Sequence, residues 1–260
     1  YLYYVLALAS HEIDGVEEFR VGEKVVPLDV NGKPTAAPFY RDGKYYLQVS
    51  IRNGTETQEM DPILAHDLPT LARSYRQQGI ATAVVKCFRG ETAADVEAVW
   101  GQNEPVFLFK VRGAKSFDAR NPVHVISNRS TWSFSTNWAR NFYCWFTHPD
   151  FGKQSWDDVD LAAYRAACDD ADRLSPKADG TFEPLYSCSG VISSASDPYS
   201  NFTDLLLAGL GTHTVVHGKS YLLAGVPRDA VKTLTERTER GEFEISTERP
   251  WRDHVNTVRV

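Results

Sequence analysis

The stretch TWSFSTNWARNFYCWF, residues 131–146, constrains the fold more than any other part of this chain. Seven of its sixteen residues are aromatic, so this surface must be buried in the fold, covered by a partner, or used to hold a ligand. Two periodicities meet in it. Trp132 and Phe134 alternate, as on an extended segment, whereas Trp138, Phe142 and Trp145 stand at i, i+4 and i+7, one face of a helix. Asn137 is placed to cap that helix at its N-terminus, and Tyr143 and Phe146 widen the apolar arc. A stacking platform for bases interleaves aromatics with basic residues, and only Arg129 and Arg140 lie close by. A sugar-binding shelf needs neighbouring carboxylates and amides. Burial is favoured on magnitude, because each large aromatic contributes roughly 2–3 kcal/mol when buried. The expectation is a core junction, ahead of an exposed protein interface and further ahead of a small-ligand site.

A core needs enough chain around it. The 260 residues suffice for one large domain or two ordinary ones, and 42% hydrophobic with 24% charged residues is an ordinary globular balance. The net charge of −6 argues against a general phosphate-backbone binder, which carries a basic field. No apolar run approaches the roughly 18 residues needed to cross a bilayer. The opening YLYYVLALAS is too short and too aromatic for a secretory signal, and it starts in mid-strand. DHVNTVRV also ends inside a strand pattern, so further sequence is expected on both sides. Cys87, Cys144, Cys168 and Cys188 show no C-x-x-C pairing, which disfavours zinc. Free, mostly buried thiols made in a reducing cytosol are expected.

Strand signals dominate the first part. YLYYVLAL and VEEFRVGEKVV read as strand, turn, strand, and VNGKP as a turn in which Asn31-Gly32 supplies positive φ. RDGKYYLQVSIRNG, ATAVVKCFRG and PVFLFKVRG are further strands, and LAHDLPT reads as a loop. Residues 1–112 are expected to be a mainly β domain. The pattern then changes. SWDDVDLAAYRAACDDADRL reads as a helix with Asp157, Asp158 and Asp160 in its first turn, where the helix dipole favours acids. SPKADGTFE reads as a polar loop, LYSCSGVI as a strand, and DPYSNFTDLLLAGLG as a helix with Pro198 in its first turn. THTVVHGKSYLLAG is a hairpin about His217-Gly218. The expected class is α+β, with an aromatic junction and an α/β unit (helix, strand, helix, hairpin) over 113–235. EFEISTERPWRDHVNTVRV returns to strands, opening a following β domain over 236–260.

Chemistry-bearing residues are scattered. His66-Asp67 is an acid–base pair by type, but adjacent residues seldom bond productively. Glu12, Asp14, Glu17 and Glu18 form a carboxylate-rich turn, without the two carboxyls across a cleft that glycoside hydrolysis needs. Asp157, Asp158 and Asp160 lack the alternating ligands and Gly of an EF-hand loop. GLGTH follows a helix rather than preceding one and lacks the Lys-Ser/Thr of a phosphate loop. His213 and His217 are four apart on a strand and turn, which does not converge on a metal. A G-x-S-x-G elbow is absent. No catalytic residue, cofactor or metal is expected. Arg112, Lys115 and Arg120 flank Phe117, and Asp118 with Arg120 either forms an internal pair that fixes the loop or docks an acidic partner, the former favoured.

GAKSFDARNPVHVISNRSTWSFSTNWARNFYCWF resembles the pattern G-x-K-x-x-D-P-R followed by T-W-x-x-S-x-N-P-A in the tail hub, or tip attachment, proteins of long-tailed bacteriophages, the J family of lambda-like phages. VLALASHEIDGVEEFRVGEKVV upstream, and VDLAAYRAACDD, YSCSGVISSASDPYSNFTDLLLAGLGTHTVVHGKSYLLAG and DHVNTVRV downstream, are similar to the family's segments in the same order. Proline is replaced at two places, Asp118-Ala119-Arg120 and Asn137-Trp138-Ala139, which marks a divergent member whose turns must be held otherwise. The resemblance implies β-barrel-like hub domains with an intervening α/β unit, assembled as a homotrimer in the virion at the tail tip after assembly in the host cytoplasm. It implies contacts to the distal tail protein, the tape measure protein and other tail-tip proteins. It implies no sequence-specific nucleic acid, and a host receptor met only through regions outside this sequence. The expected function is a non-enzymatic structural component that caps the tail tube and serves host attachment and DNA ejection. Asp118, Arg120, Trp132, Asn137, Trp138, Phe142 and Trp145 are its structural or interface candidates. The alternative is a tail-associated cell-wall hydrolase or carbohydrate-binding domain, and a general α+β interaction module of non-viral origin is a third reading.

Overall fold

The computed structural model describes residues 1–72, 75–101 and 104–229. Tyr1–Gly225 forms one compact unit, and a second, Val226–Val260, lies almost wholly outside the described residues, as does the β domain expected over 236–260. The boundary expected near residue 112 falls inside the first unit.

The strand-rich part runs β1 (Leu2–Ala9), β2 (Gly15–Val21), β3 (Lys24–Val25), β4 (Tyr40–Arg41), β5 (Lys44–Tyr45), β6 (Leu47–Arg52), α1 (Pro62–Asp67), α2 (Pro69–Ala72), β7 (Ala81–Cys87), α3 (Ala93–Trp100) and β8 (Phe107–Arg112). One antiparallel sheet has the order β1-β7-β6 and another the order β3-β2-β8. β7 is central, and all of ATAVVKC but Lys86 is buried, which is why it reads as a continuous apolar run without alternation. β8 lies at a sheet edge and alternates half-buried with exposed residues. Phe19, Leu47, Val49, Val85 and Trp100 form the core here, with Tyr4, Phe107 and Phe109 packed against it.

The carboxylate-rich turn is a set of ion pairs. Asp14 meets Arg112 and Glu17 meets Lys110 across the β2–β8 pair, Glu12 meets Lys115, and Glu18 meets Arg20. LAHDLPT, expected as a loop, is helical. Asp61 accepts from the N–H groups of Ile63 and Leu64, and Pro62 occupies the first turn, so α1 is capped and lays Ile63 and Leu64 on Val84. His66 and Asp67, adjacent residues of a kind that seldom bond productively, do hydrogen-bond here, at 2.7 Å. Asp67 also accepts from Tyr3 at 3.0 Å and Lys86 at 2.6 Å, and these bonds, that to Lys86 foremost, bring its carboxyl down to about 2.

The chain continues through β9 (Lys115–Ser116), β10 (Ser133–Phe134), α4 (Trp138–Phe146), α5 (Leu161–Ala171), β11 (Leu174–Pro176), β12 (Phe182–Pro184), α6 (Pro198–Leu207), β13 (Thr212–Val216) and β14 (Lys219–Leu223). The aromatic helix, both later helices and the hairpin about His217-Gly218 lie where the sequence places them. Two details differ. The loop SPKADGTFE holds the β11–β12 hairpin turned at Asp179-Gly180, and LYSCSGVI contributes only a bridge from Ser187 to Asn137. α5 starts at Leu161, so Asp160 alone caps it, while Asp157 and Asp158 sit in a preceding short 3-10 turn. Helix (23%) and strand (30%) together make the class mixed α+β. Among the described residues the sheets have two or three strands and none closes into a barrel.

Candidate functional site

α4 is the hub of the second half. Asn137 caps it, its side-chain oxygen accepting from Arg140 N–H at 3.1 Å while Nδ2 donates to the Cys168 carbonyl of α5 at 3.0 Å. One side chain therefore closes a helix end and ties two helices. Trp138, Ala139, Phe142 and Tyr143 are wholly buried. Phe142 meets the rings of Tyr143, Phe146, Phe202 and His213, and Trp145 meets Phe202, so α4 is packed against both α6 and the β13–β14 hairpin. Tyr143 donates to the Ser220 carbonyl at 3.3 Å, and burial pushes its hydroxyl up to about 12. Trp138 donates its indole N–H to Leu205 O at the end of α6. A Cβ at Gly209 would stand 2.2 Å from its ring, and one at Gly211 2.4 Å. GLG is thus required by a tryptophan 71 residues upstream, and no phosphate loop is involved.

The second part of the site is a charged cluster beneath this helix. Asp118 receives Arg120 Nε and NH2 at 2.9 Å each, and also Arg120's main-chain N–H at 2.9 Å. The internal pair is therefore formed. Arg120 further meets Asp169 at 3.0 Å and Asp172 at 2.9 Å, both at the end of α5. Burial opposes the charge on Asp118, but Arg120's bonds and charge, with Arg140 3.6 Å away, hold its carboxyl below the usual range. Arg140, almost fully buried on α4, donates to the Ser116 carbonyl at 2.7 Å and the Ser133 carbonyl at 2.8 Å, stapling the β9–β10 pair. His124 accepts the Asp118 N–H on Nδ1 at 3.0 Å, and burial, with Arg140's charge, lowers its pKa and favours that neutral acceptor. Trp132 donates to the Val125 carbonyl at 2.9 Å and packs on Phe117 and Trp156.

At the two places where the tail-hub pattern carries proline, other groups hold this chain. At Asp118-Ala119-Arg120 the turn is held by the Asp118 side chain on Arg120 N–H and by Arg165 Nε on the Ala119 carbonyl at 2.9 Å. At Asn137-Trp138-Ala139, Trp138 stands at the first helical position, where a proline would leave no N–H to satisfy. Trp138 does have one, and it donates to Tyr186 O at 3.3 Å.

The seven residues singled out from the sequence thus fall into one contiguous region, Trp138, Phe142 and Trp145 on the helix and Asp118, Arg120, Trp132 and Asn137 at its root. Arg140, Tyr143, Tyr164, His213 and Ser220, equally central, were not among them. Within it His213 Nε2 lies 2.8 Å from the Oγ of Ser220, and Ser220 is buried. Among the described residues no group of three or more His, Cys, Asp or Glu side chains is arranged to hold a metal ion, and no helix is long and apolar enough to cross a membrane. No family model matches the chain, and no curated protein matches it by sequence.

Proposed function

We propose that this chain is a structural component of a bacteriophage tail tip, a divergent tail hub protein whose subunits join in a closed ring, in the family's case a trimer. It caps the tail tube, links it to the host-recognition apparatus, and contributes to adsorption and DNA ejection without catalysing a reaction. Its partners on this reading are further copies of itself, the distal tail protein and the tape measure protein. β-barrel-like hub domains belong to the same reading.

The observation that carries it is the convergence of the motif residues. Asp118 and Arg120 of the first motif, and Trp132, Asn137 and Ala139 of the second, lie up to 21 positions apart, yet each has a bonding or packing role at the root of α4. A pattern whose positions all serve folding suits a building block better than an active site. Ring closure demands rigid subunits, since a small angular error in a heterologous contact yields a fibre instead of a ring. The test is a mass measurement on a longer chain together with its incorporation into tails. Rings of defined stoichiometry that enter tail tips are expected. A well-folded longer chain that stays monomeric at high concentration and is not taken up would refute the reading.

A further inference from the structure

Three histidines stand around α4, and the bonds of two of them fix their charge state. The main-chain N–H of Asp118 donates to Nδ1 of His124 at 3.0 Å, and that of Asp150 to Nδ1 of His148 at 3.1 Å. An amide N–H always carries its proton, so each ring nitrogen presents a lone pair and both rings are neutral. Protonation would set two donors against each other. His124 thereby pins the turn whose Asp118 bonds Arg120 at the root of the helix. His148 closes the loop that folds back over the helix end, where Gly152 and Gln154 donate to the Trp145 and Phe146 carbonyls. The third, His213 of β13, holds Nε2 2.8 Å from Ser220 Oγ, itself 3.3 Å from the Tyr143 hydroxyl. The rings of Phe142, Phe146 and Phe202 surround it, centroids 5.3–5.8 Å away, so the hairpin meets α4 and α6 through this side chain.

The surroundings disfavour a charge on all three. Burial lowers each pKa. At His124 Arg140 adds to it, against an Asp118 carboxylate that Arg120 already engages. At His148 burial, with Arg129 and His11, outweighs Asp150, whose carboxylate is 3.9 Å away. At His213 burial acts alone. Arg140 of α4 bonds the β9–β10 carbonyls, and Asp204 of α6 is exposed. On the hairpin's other face Asp160 is engaged by Tyr221, and Lys219 by the Asp157 carbonyl.

We propose that the α4 unit carries an acid-triggered release, in which protonation of His124, His148 and His213 frees the Asp118 turn, the loop over the helix end and the β13–β14 hairpin, and opens the aromatic face of α4 to solvent. The release does not rest on the tail-hub reading. A histidine kept neutral by the closed form takes up its proton more readily in the open one, where its pKa is about 6.5. Its contribution to closure is therefore present above about pH 6.5 and is lost as pH falls through the lowered closed-state value. Each proton taken up on opening raises the opening constant about tenfold per pH unit. Exposed carboxylates titrate near 4, so the window from about pH 6.5 to about pH 5 isolates the histidines.

The test is amide hydrogen exchange on the whole chain, corrected for intrinsic rates, together with imidazole 15N NMR. His124 and His148 are expected to show an unprotonated Nδ1 at about pH 7.5. The opening constant of the α4 amides is expected to rise more than about tenfold across the window, without the amides of β7 following. In the triple variant His124→Asn, His148→Asn, His213→Gln, whose amide oxygens replace the acceptors and do not titrate, the rise should be under about threefold. A protonated Nδ1 on His124 or His148, no rise, an equal rise in β7, or the same rise in the variant would each overturn the proposal. Should the variant not fold, the wild-type imidazole titrations decide: values below about 6.5 at all three sites support the release, and a value at or above it at any one overturns it.

Discussion

Gly209→Ala, made with and without Trp138→Leu, tests whether the tryptophan dictates the exit of α6. In the wild type the new Cβ would stand 2.2 Å from two indole carbons. Ordinary contact begins near 3.4 Å, so the ring or the chain must move by about an ångström. Trp138 cannot move freely, because it is fully buried, bonded to Leu205 O, and flanked by Phe142 and Tyr186. Overpacking of this kind costs about 1–3 kcal/mol. Trp138→Leu alone is expected to cost about 2–4 kcal/mol, from the lost ring volume and the orphaned carbonyl. With leucine at 138 the methyl enters vacated space, and the loss of a glycine from the unfolded chain returns about 0.4–1 kcal/mol. Gly209→Ala should then be near neutral, a coupling of about 1–3 kcal/mol between the two sites. Urea unfolding followed by far-UV circular dichroism measures each corner of the cycle independently of tryptophan emission. Equal cost of Gly209→Ala in both backgrounds would refute the reasoning.

Asp118→Asn should remove a pH dependence. The folded-state pKa of Asp118 is depressed, so its contribution to stability is present above the unfolded value, about 3.9, and is lost as pH falls through the folded one. Unfolding free energies measured between neutral and acid pH should show a smaller acid loss in the variant than in the wild type. Asn137→Ala should cost about 1–2 kcal/mol by denaturant unfolding, since it removes a cap and the Nδ2 bond that ties α4 to the Cys168 carbonyl, with Asn137→Asp recovering only the cap. Burial pushes Cys87 and Cys168 up to about 12, so a thiol reagent at neutral pH should modify them only on unfolding, and modification at the rate of a free thiol would contradict their placement.

Much of the second half was legible because its signals are local and redundant. Asn137, Asp160 and Asp197 stand one residue before their helices, Pro198 opens the third, and His217-Gly218 turns the hairpin. The first half hid its helices for physical reasons. α1 and α2 are too short for a 3.6-residue period to emerge, and only the caps betray them: Asp61-Pro62 before α1, and Thr92 with Asp95 as a capping box before α3. LYSCSGVI reads as a strand by composition, but its main chain bonds piecemeal, Leu185 to Arg173, Tyr186 to Ala171 and Cys188 to Thr136, so that it forms one bridge, Ser187 with Asn137, and no ladder. The site was half legible. Aromatic spacing places Trp138, Phe142 and Trp145 on one face, whereas burial of Arg140 depends on carbonyls of Ser116 and Ser133, which no local pattern in α4 announces. His66 and Asp67 could be judged only once Lys86 and Tyr3 were in place around them.

The most direct test of the central claim is a cryo-EM map of tail tips from the phage that, on the proposed reading, encodes this chain. The account expects density at the distal end of the tail tube, in a closed ring of identical copies, into which the unit Tyr1–Gly225 fits with α4 buried inside each subunit. A tip whose density leaves no place for that unit, or one in which the aromatic face of α4 is spread open against a glycan, would contradict it.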